Sequence, residues 1–314
     1  MTTKAAATAS MPAPVVIDIN DHVVGFYVGR GLSAPSPLAT LGENWVDGGA
    51  WGLGAINYAV HVGDCALVYD TGTLPELGQW QRDYLAETLG IKHFTVVLSH
   101  WHLDHIAGNA AYADTTIVAL DLTRDAMIAN RAAIESGTLW GPPAMAVVLP
   151  DVTFKDTLVV YVGSLRVEFH HFDIHSRDGN VMVIPSDETL YAGDTLEDTI
   201  TYMVEPGDIP THIAELERLR TLEIATIYPN HGDPGVIERG GYTKTLIDAM
   251  REYDVNMLAL AHEPGYLTRP IEDFVPAGLA SGAVSVFEPY RAVHANNLEL
   301  VHDTWKNRAI PVVP

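Results

Sequence analysis

Apolar positions fall into two kinds of run along this chain, and their spacing predicts most of its elements. Short runs rich in β-branched residues occur at Val15 to Ile19, Val23 to Val28, Ile56 to His61, Ala66 to Tyr69, Phe94 to Leu98 and Thr116 to Leu120. They resume at Leu158 to Val162, Leu165 to Phe169, Val181 to Ile184, Thr189 to Ala192 and Ala225 to Tyr228. Runs of this length between turn-forming residues read as strands. Asn20-Asp21, Gly63-Asp64 and Gly163-Ser164 stand where paired strands need tight turns. Helical spacing marks Leu77 to Leu89, closed by Gly90, and Leu122 to Ser136, with Asp121 as its expected N-cap. Further helices are expected over Ile106 to Tyr112, Pro210 to Thr221, Tyr242 to His262, Ile271 to Leu279 and Pro289 to Trp305.

Two stretches break this regularity. Gly29 to Gly54 is glycine-rich and carries Trp45 and Trp51; a long loop of this kind is expected to form a wall of a binding site. Gly137 to Pro150, with Gly-Pro-Pro, Trp140 and Met145, reads either as a border of that site or as a connector. No repeat or Pro/Ser-rich linker divides the chain. The expected organisation is therefore a flexible tail over residues 1–14 and one α/β domain over 15–314, with its last helices covering one flank. Tyr290, His294 and Asn297 stack along one face of the final helix, and packing and capping of the core is the expected role.

The chemistry concentrates in one hexapeptide, His100-Trp101-His102-Leu103-Asp104-His105. It follows the strand Phe94 to Leu98, so it lies at a strand's carboxyl end, where open α/β sheets keep their sites. Residues two apart on an extended segment point the same way, so His100 and His102 can grip one metal. The chain then turns helical, and Asp104 and His105 can diverge toward a second. His170 and His171 are adjacent on a strand and face opposite sides, so neither joins the expected ligand set.

Composition narrows the partners. The 314 residues are 47% hydrophobic and 18% charged, with a formal net charge of -22. Such a polyanion repels nucleic acid and anionic membrane surfaces, which leaves a small molecule as the expected substrate. The lone cysteine, Cys65, excludes an intrachain disulfide and reads as a small core residue. Met1 to Pro14 lacks a basic segment followed by an apolar run, and no run of 18 apolar residues occurs, so the expectation is a cytoplasmic protein without a membrane span. A homo-oligomer is left open.

The hexapeptide resembles the HxHxDH signature of the metallo-β-lactamase-fold hydrolases. The resemblance runs from about Ile56 to Asp233 and includes Asp70-Thr71-Gly72, a lone His175, Gly193-Asp194 and His231 in the family's order. It implies an αββα sandwich, two mixed sheets flanked by helices with metals at one edge. It implies that His100, His102 and His175 hold one divalent metal, that Asp104, His105 and His231 hold another, and that Asp194 bridges them. Asp70 is implied to support the ligands. Two departures stand out. Gly179 is displaced by one position from the family's glycine after the lone His, and Asn230 replaces a Gly in Pro229-Asn230-His231-Gly232. Asn tolerates the left-handed backbone that the Gly would supply.

The resemblance implies two metals, with zinc expected and iron or manganese compatible with the same donors. A hydroxide shared by the metals would attack a carbonyl carbon, and Asp104 or Asp194 would move the proton. The expected reaction is hydrolysis of a lactone or carboxylic ester; thioesters and β-lactams are the alternatives. A glutathione thioester is disfavoured because the C-terminal region holds only Lys244 and Lys306 as lysines. Two other readings stand beside this one: a mononuclear iron dioxygenase of the persulfide type, and a metal-binding regulatory protein without catalysis.

Overall fold

The computed structural model describes residues 12–32, 36, 38 and 42–311. Most of the expected N-terminal tail lies outside the described residues. Among the described residues twelve strands form two sheets. The first holds β1 (Val15–Asn20), β2 (Val23–Val28), β3 (Ala55–Val62), β4 (Cys65–Tyr69), β5 (His93–Val97), β6 (Thr116–Leu120) and β7 (Val152–Phe154), side by side in that order. The first four strands pair antiparallel; from β4 to β7 the pairing is parallel. The second sheet runs β12-β11-β10-β9-β8, from β8 (Thr157–Val162), β9 (Leu165–His171), β10 (Asn180–Ile184), β11 (Thr189–Tyr191) and β12 (Thr226–Tyr228). Only β11 and β12 are parallel in it. Both sheets are thus mixed, as expected.

Alternation explains why the strands of the first sheet read as nearly continuous apolar runs. Tyr27, Ile56, Tyr58, Val60, Leu67, Tyr69 and Val97 point into the core shared with the second sheet. Phe26, Ala59, Ala66, Val68, Val96 and Leu98 point the other way, beneath α1 (Pro75–Thr88) and α2 (Asp121–Ser136). Both faces are covered, so both sets are apolar. On the far side α3 (Ile209–Arg220), α4 (Thr245–Ala259) and α5 (Tyr290–Trp305) pack into the core that contains the second sheet. Among the described residues no helix is long and apolar enough to cross a membrane.

Several local expectations are corrected. Asp121 is the first residue of α2 rather than its cap; Leu120 holds the cap position without a side-chain bond. Residues 106–112 form mostly a 3-10 turn, Ala107–Tyr112, after a single α turn at Leu103–Ile106. Ile271 to Leu279 splits into a 3-10 turn, Ile271–Asp273, and a short helix starting at Pro276, since proline starts a helix more readily than it continues one. The glycine-rich stretch contains helical turns over Val46–Leu53. Cys65 is half-buried at the start of β4 rather than in the core's interior.

Candidate metal centre

The loops beyond the carboxyl ends of β4, β5, β11 and β12, with the β9–β10 connection, converge on one point. All seven expected ligands reach it. His100, His102, His175 and Asp194 form one group, and Asp104, His105, Asp194 and His231 a second, each with ligand atoms within 4.8 Å of one another. Asp194 belongs to both. His170 and His171 do not take part: His170 Nε2 lies 3.0 Å from Glu168, and His171 Nε2 lies 2.7 Å from the Arg177 carbonyl.

Hydrogen bonds on the outer side of the rings fix which nitrogens face inward. His231 Nδ1 donates to the Gly54 carbonyl at 2.6 Å, and a carbonyl can only accept. His105 Nδ1 lies 2.8 Å from Asp70 Oδ2, and His100 Nδ1 lies 2.9 Å from Ser99 Oγ. The Nε2 atoms of these three rings therefore turn inward. His105 Nε2 stands 3.0 Å from Asp194 Oδ2, His231 Nε2 3.5 Å and His100 Nε2 3.7 Å from the same oxygen. His175 Nε2 lies 3.7 Å from it and 3.0 Å from His102 Nδ1. Asp104 Oδ2 closes the second group at 3.2 Å from His231 Nε2.

His100 Nε2 and Asp194 Oδ1 are buried with no hydrogen-bond partner. Unpaired buried polar atoms that converge with so many lone pairs are costly unless a cation lies among them. The donor set, imidazole nitrogen and carboxylate oxygen, is one that divalent metals take, so the residues present fit a metal site.

The charges point the same way. Burial alone would push Asp194 up, but the His105 and His231 rings hold it well below the usual carboxylate range. Burial would push His105 and His231 down, yet the carboxylates around them, Asp194 foremost, together outweigh it, and both lie well above the usual imidazole value. Away from most of that charge, burial pushes His102 down to about 3.

Two supports differ from expectation. Asn230 is not in the left-handed backbone region. It stands in place of a Gly because its side chain is used: Asn230 Nδ2 donates to Asp70 Oδ2 at 2.8 Å. At the site, Asp70 at φ 66°, His175 at φ 64° and Trp140 at φ 56° are left-handed. Gly179 is needed for close approach, since a Cβ there would lie 2.7 Å from the Phe172 carbonyl oxygen.

Beside the cluster opens a cavity of about 410 Å³. Trp45, Leu53 and Trp140 line it, as do Tyr202, Val204, Val293 and Asn296. Asp104 and Asp194 line it with His102, His175 and His231. The expectation for the glycine-rich stretch therefore holds for Trp45, whereas Trp51 is buried against Val28, Val46 and Leu77. Trp140 borders the site, with its ring 5.1 Å from that of His102.

Glu197 was not legible in the sequence as a site residue. It lines the cavity, 2% exposed, and accepts a hydrogen bond from Tyr290 Oη at 2.8 Å. Burial, and then the charge of Asp194, push it up to about 8. Packing and capping of the core was the expected role of Tyr290; it also holds Glu197, and α5 reaches the site. The one signal was its place on the face shared with His294 and Asn297.

Known proteins agree with this geometry. Residues 52–231, more than half of the chain, match the model of the metallo-beta-lactamase superfamily. A linear primary-alkylsulfatase from Pseudomonas sp. (strain ATCC 19151) is 24% identical, over 54% of this chain and 39% of its own length. An atrochrysone carboxyl ACP thioesterase from Emericella nidulans is 26% identical, over 64% of this chain and 56% of its own length. The chain thus spans well under two thirds of either curated relative. Among solved structures, a metallo-beta-lactamase from Pontibacter korlensis superposes with a TM-score of 0.53 at 18% identity, covering 75% of this chain and 99% of that one. The metallo-beta-lactamase FIM-1 from Pseudomonas aeruginosa, in its mono-zinc form, does so with a TM-score of 0.53 at 16% identity, covering 77% and 98%. The match over residues 52–231, with the αββα sandwich and the convergent histidines and aspartates, makes this chain a member of the metallo-beta-lactamase superfamily.

Proposed function

We propose that the protein is a dinuclear metal hydrolase acting on a neutral carbonyl ester, a lactone or an acyclic carboxylic ester with an apolar portion. One observation carries the substrate class: no Lys or Arg is among the described residues lining the cavity, while Trp45, Leu53, Trp140, Val204 and Val293 are. A sulfate or carboxylate headgroup would find no Lys or Arg among those residues to pair with. A neutral ester would meet apolar walls.

His100, His102 and His175 would hold one metal and Asp104, His105 and His231 the other, with Asp194 reaching both; zinc suits these donors. Bound metal supplies water of lowered pKa and an electrophilic contact for the carbonyl oxygen. The chain's own groups do the rest. Trp45, Leu53 and Trp140 hold the apolar part and keep bulk water from it. Asp104, less deeply buried than its neighbours, is placed to take up the proton released on attack. Asp194 holds the two groups of ligands at one spacing.

A thioester is the second reading, supported by the likeness to the fungal thioesterase. Acid release followed by pH-stat, from zinc-loaded protein with an acyl-homoserine lactone and with a short acyclic ester, tests the proposal. The wild type should release acid, and Asp194→Ala should lose metal and nearly all turnover. No release from protein that holds metal at both groups around Asp194 overturns the ester reading and leaves the thioester to be tested. One iron per chain overturns the dinuclear arrangement.

A further inference from the structure

Away from the Asp194 cluster, the described residues bring together another set of metal-ligating atoms. Asp173, Glu205 and His212 each offer one, all within 4.8 Å of one another. Asp173 follows β9, Glu205 precedes the turn that leads into α3, and His212 lies in the first turn of α3. His212 Nε2 stands 3.8 Å from Asp173 Oδ1, beyond hydrogen-bond reach. Neither atom has a hydrogen-bond partner, and His212 is 2% exposed. A buried ring nitrogen and a buried carboxylate oxygen would close on each other if nothing lay between them. At this separation, with both unpaired, they are disposed as two ligands of one ion.

Glu205 supplies the third arm. Its Oε2 accepts the Arg177 backbone N–H at 2.9 Å, and its Oε1 lies 3.6 Å from Arg177 Nε. The Arg177 guanidinium is itself held by Asp208, with Nε 2.7 Å from Asp208 Oδ2. Arg177 is thus drawn to a carboxylate outside the trio, and Glu205 keeps lone pairs for a cation. Asp173 and Glu205 are partly exposed, which gives an ion a way in.

We propose that Asp173, Glu205 and His212 form a separate structural site for a divalent transition-metal ion, Zn²⁺ or Mn²⁺. One imidazole with two carboxylates suits these ions, whereas Ca²⁺ and Mg²⁺ prefer oxygen throughout. The site braces a loop that needs bracing. Asp173 lies two residues before His175, whose backbone is left-handed, an uncommon conformation outside glycine. A cation there ties the base of the His175 loop to α3 and to the segment carrying Val204.

Wild type and His212→Gln would be stripped of metal, reloaded with Zn²⁺, freed of excess by gel filtration and counted by mass spectrometry. The wild type is expected to carry one more zinc per chain than the variant; equal contents overturn the site. If the variant does not fold, anomalous diffraction from wild-type crystals reloaded in the same way decides. A zinc peak between the three side chains supports the site, and its absence overturns it. Excess Ca²⁺ should leave that zinc in place; displacement by Ca²⁺ overturns the transition-metal assignment. The count is a difference and the peak has its own location, so neither depends on whether the Asp194 cluster hydrolyses an ester.

Discussion

Asp70 is the residue on which the candidate centre leans most. It accepts from the Ser99 backbone N–H at 2.7 Å and from Asn230 Nδ2 at 2.8 Å, and faces His105 Nδ1 at 2.8 Å. Three groups, two from the loop after β5 and one from the loop after β12, are oriented by one carboxylate. Asp70→Asn keeps the size and tolerates the left-handed backbone, but offers an amide where acceptors are needed. Metal affinity is expected to fall roughly 10–100-fold, read by competition with a chromophoric chelator, with the fold intact by circular dichroism. At this scale the hexapeptide was legible because four ligands lie in six residues. Glu197 was not: three residues past Asp194, nothing local distinguishes it from a solvated glutamate. Its buried partner Tyr290 lies more than ninety residues later in the chain. Asn230 was legible as an anomaly, though the reason was its side chain and not its backbone.

At the scale of elements, strands were read well where a sheet has two covered faces, because nearly every residue is then apolar. Two short elements were missed: β7, whose first two residues are exposed, and the helical turns at Val46–Leu53, which lie in a glycine-rich stretch; β11 and β12 are as short as β7 but mostly buried, and their apolar runs were read. Close approach between elements is also hard to read from sequence. Gly78 of α1 meets Gly108 of the 3-10 turn that follows the hexapeptide, and a Cβ on Gly108 would lie 2.1 Å from the Thr71 carbonyl oxygen and 2.7 Å from the Gly78 Cα. Backbone cannot yield as a flexible side chain does. Gly108→Ala should therefore cost about 1–3 kcal/mol of stability, seen as a lower urea midpoint with unchanged slope. Thr71 N also donates to the His105 carbonyl, so the same substitution should weaken metal retention.

For the molecule as a whole, one buried acid sets a pH slope. Asp254 in α4 is 3% exposed, and burial pushes its carboxyl up to about 8. The unfolded chain releases that proton near pH 4. Between these values the folded state binds more protons than the unfolded state, so this group's contribution is full below pH 4 and falls as pH rises through 8. Asp254→Asn should remove that slope. The gap in melting temperature between variant and wild type is expected to widen in the variant's favour from pH 4 to pH 9, measured by calorimetry; a constant gap would contradict the assignment.

The two layers meet at both ends of the sandwich, and the fastenings differ in kind. At one end His100, His102, Asp104 and His105 come from the loop after β5 of the first sheet, and His175, Asp194 and His231 from connections of the second. At the other end, the turn before β2 reaches the start of β11 through His22 Nε2 and Asn20 Nδ2, 2.7 and 3.1 Å from Asp187 Oδ2. The first fastening is buried and made for a cation; the second is partly wet and made of hydrogen bonds. A chelator should therefore unzip the molecule from one side only. Amide exchange would quicken in residues 99–106 and 174–180 while residues 19–23 and 185–189 keep their protection, as in a book that opens along its fore-edge with its spine still bound.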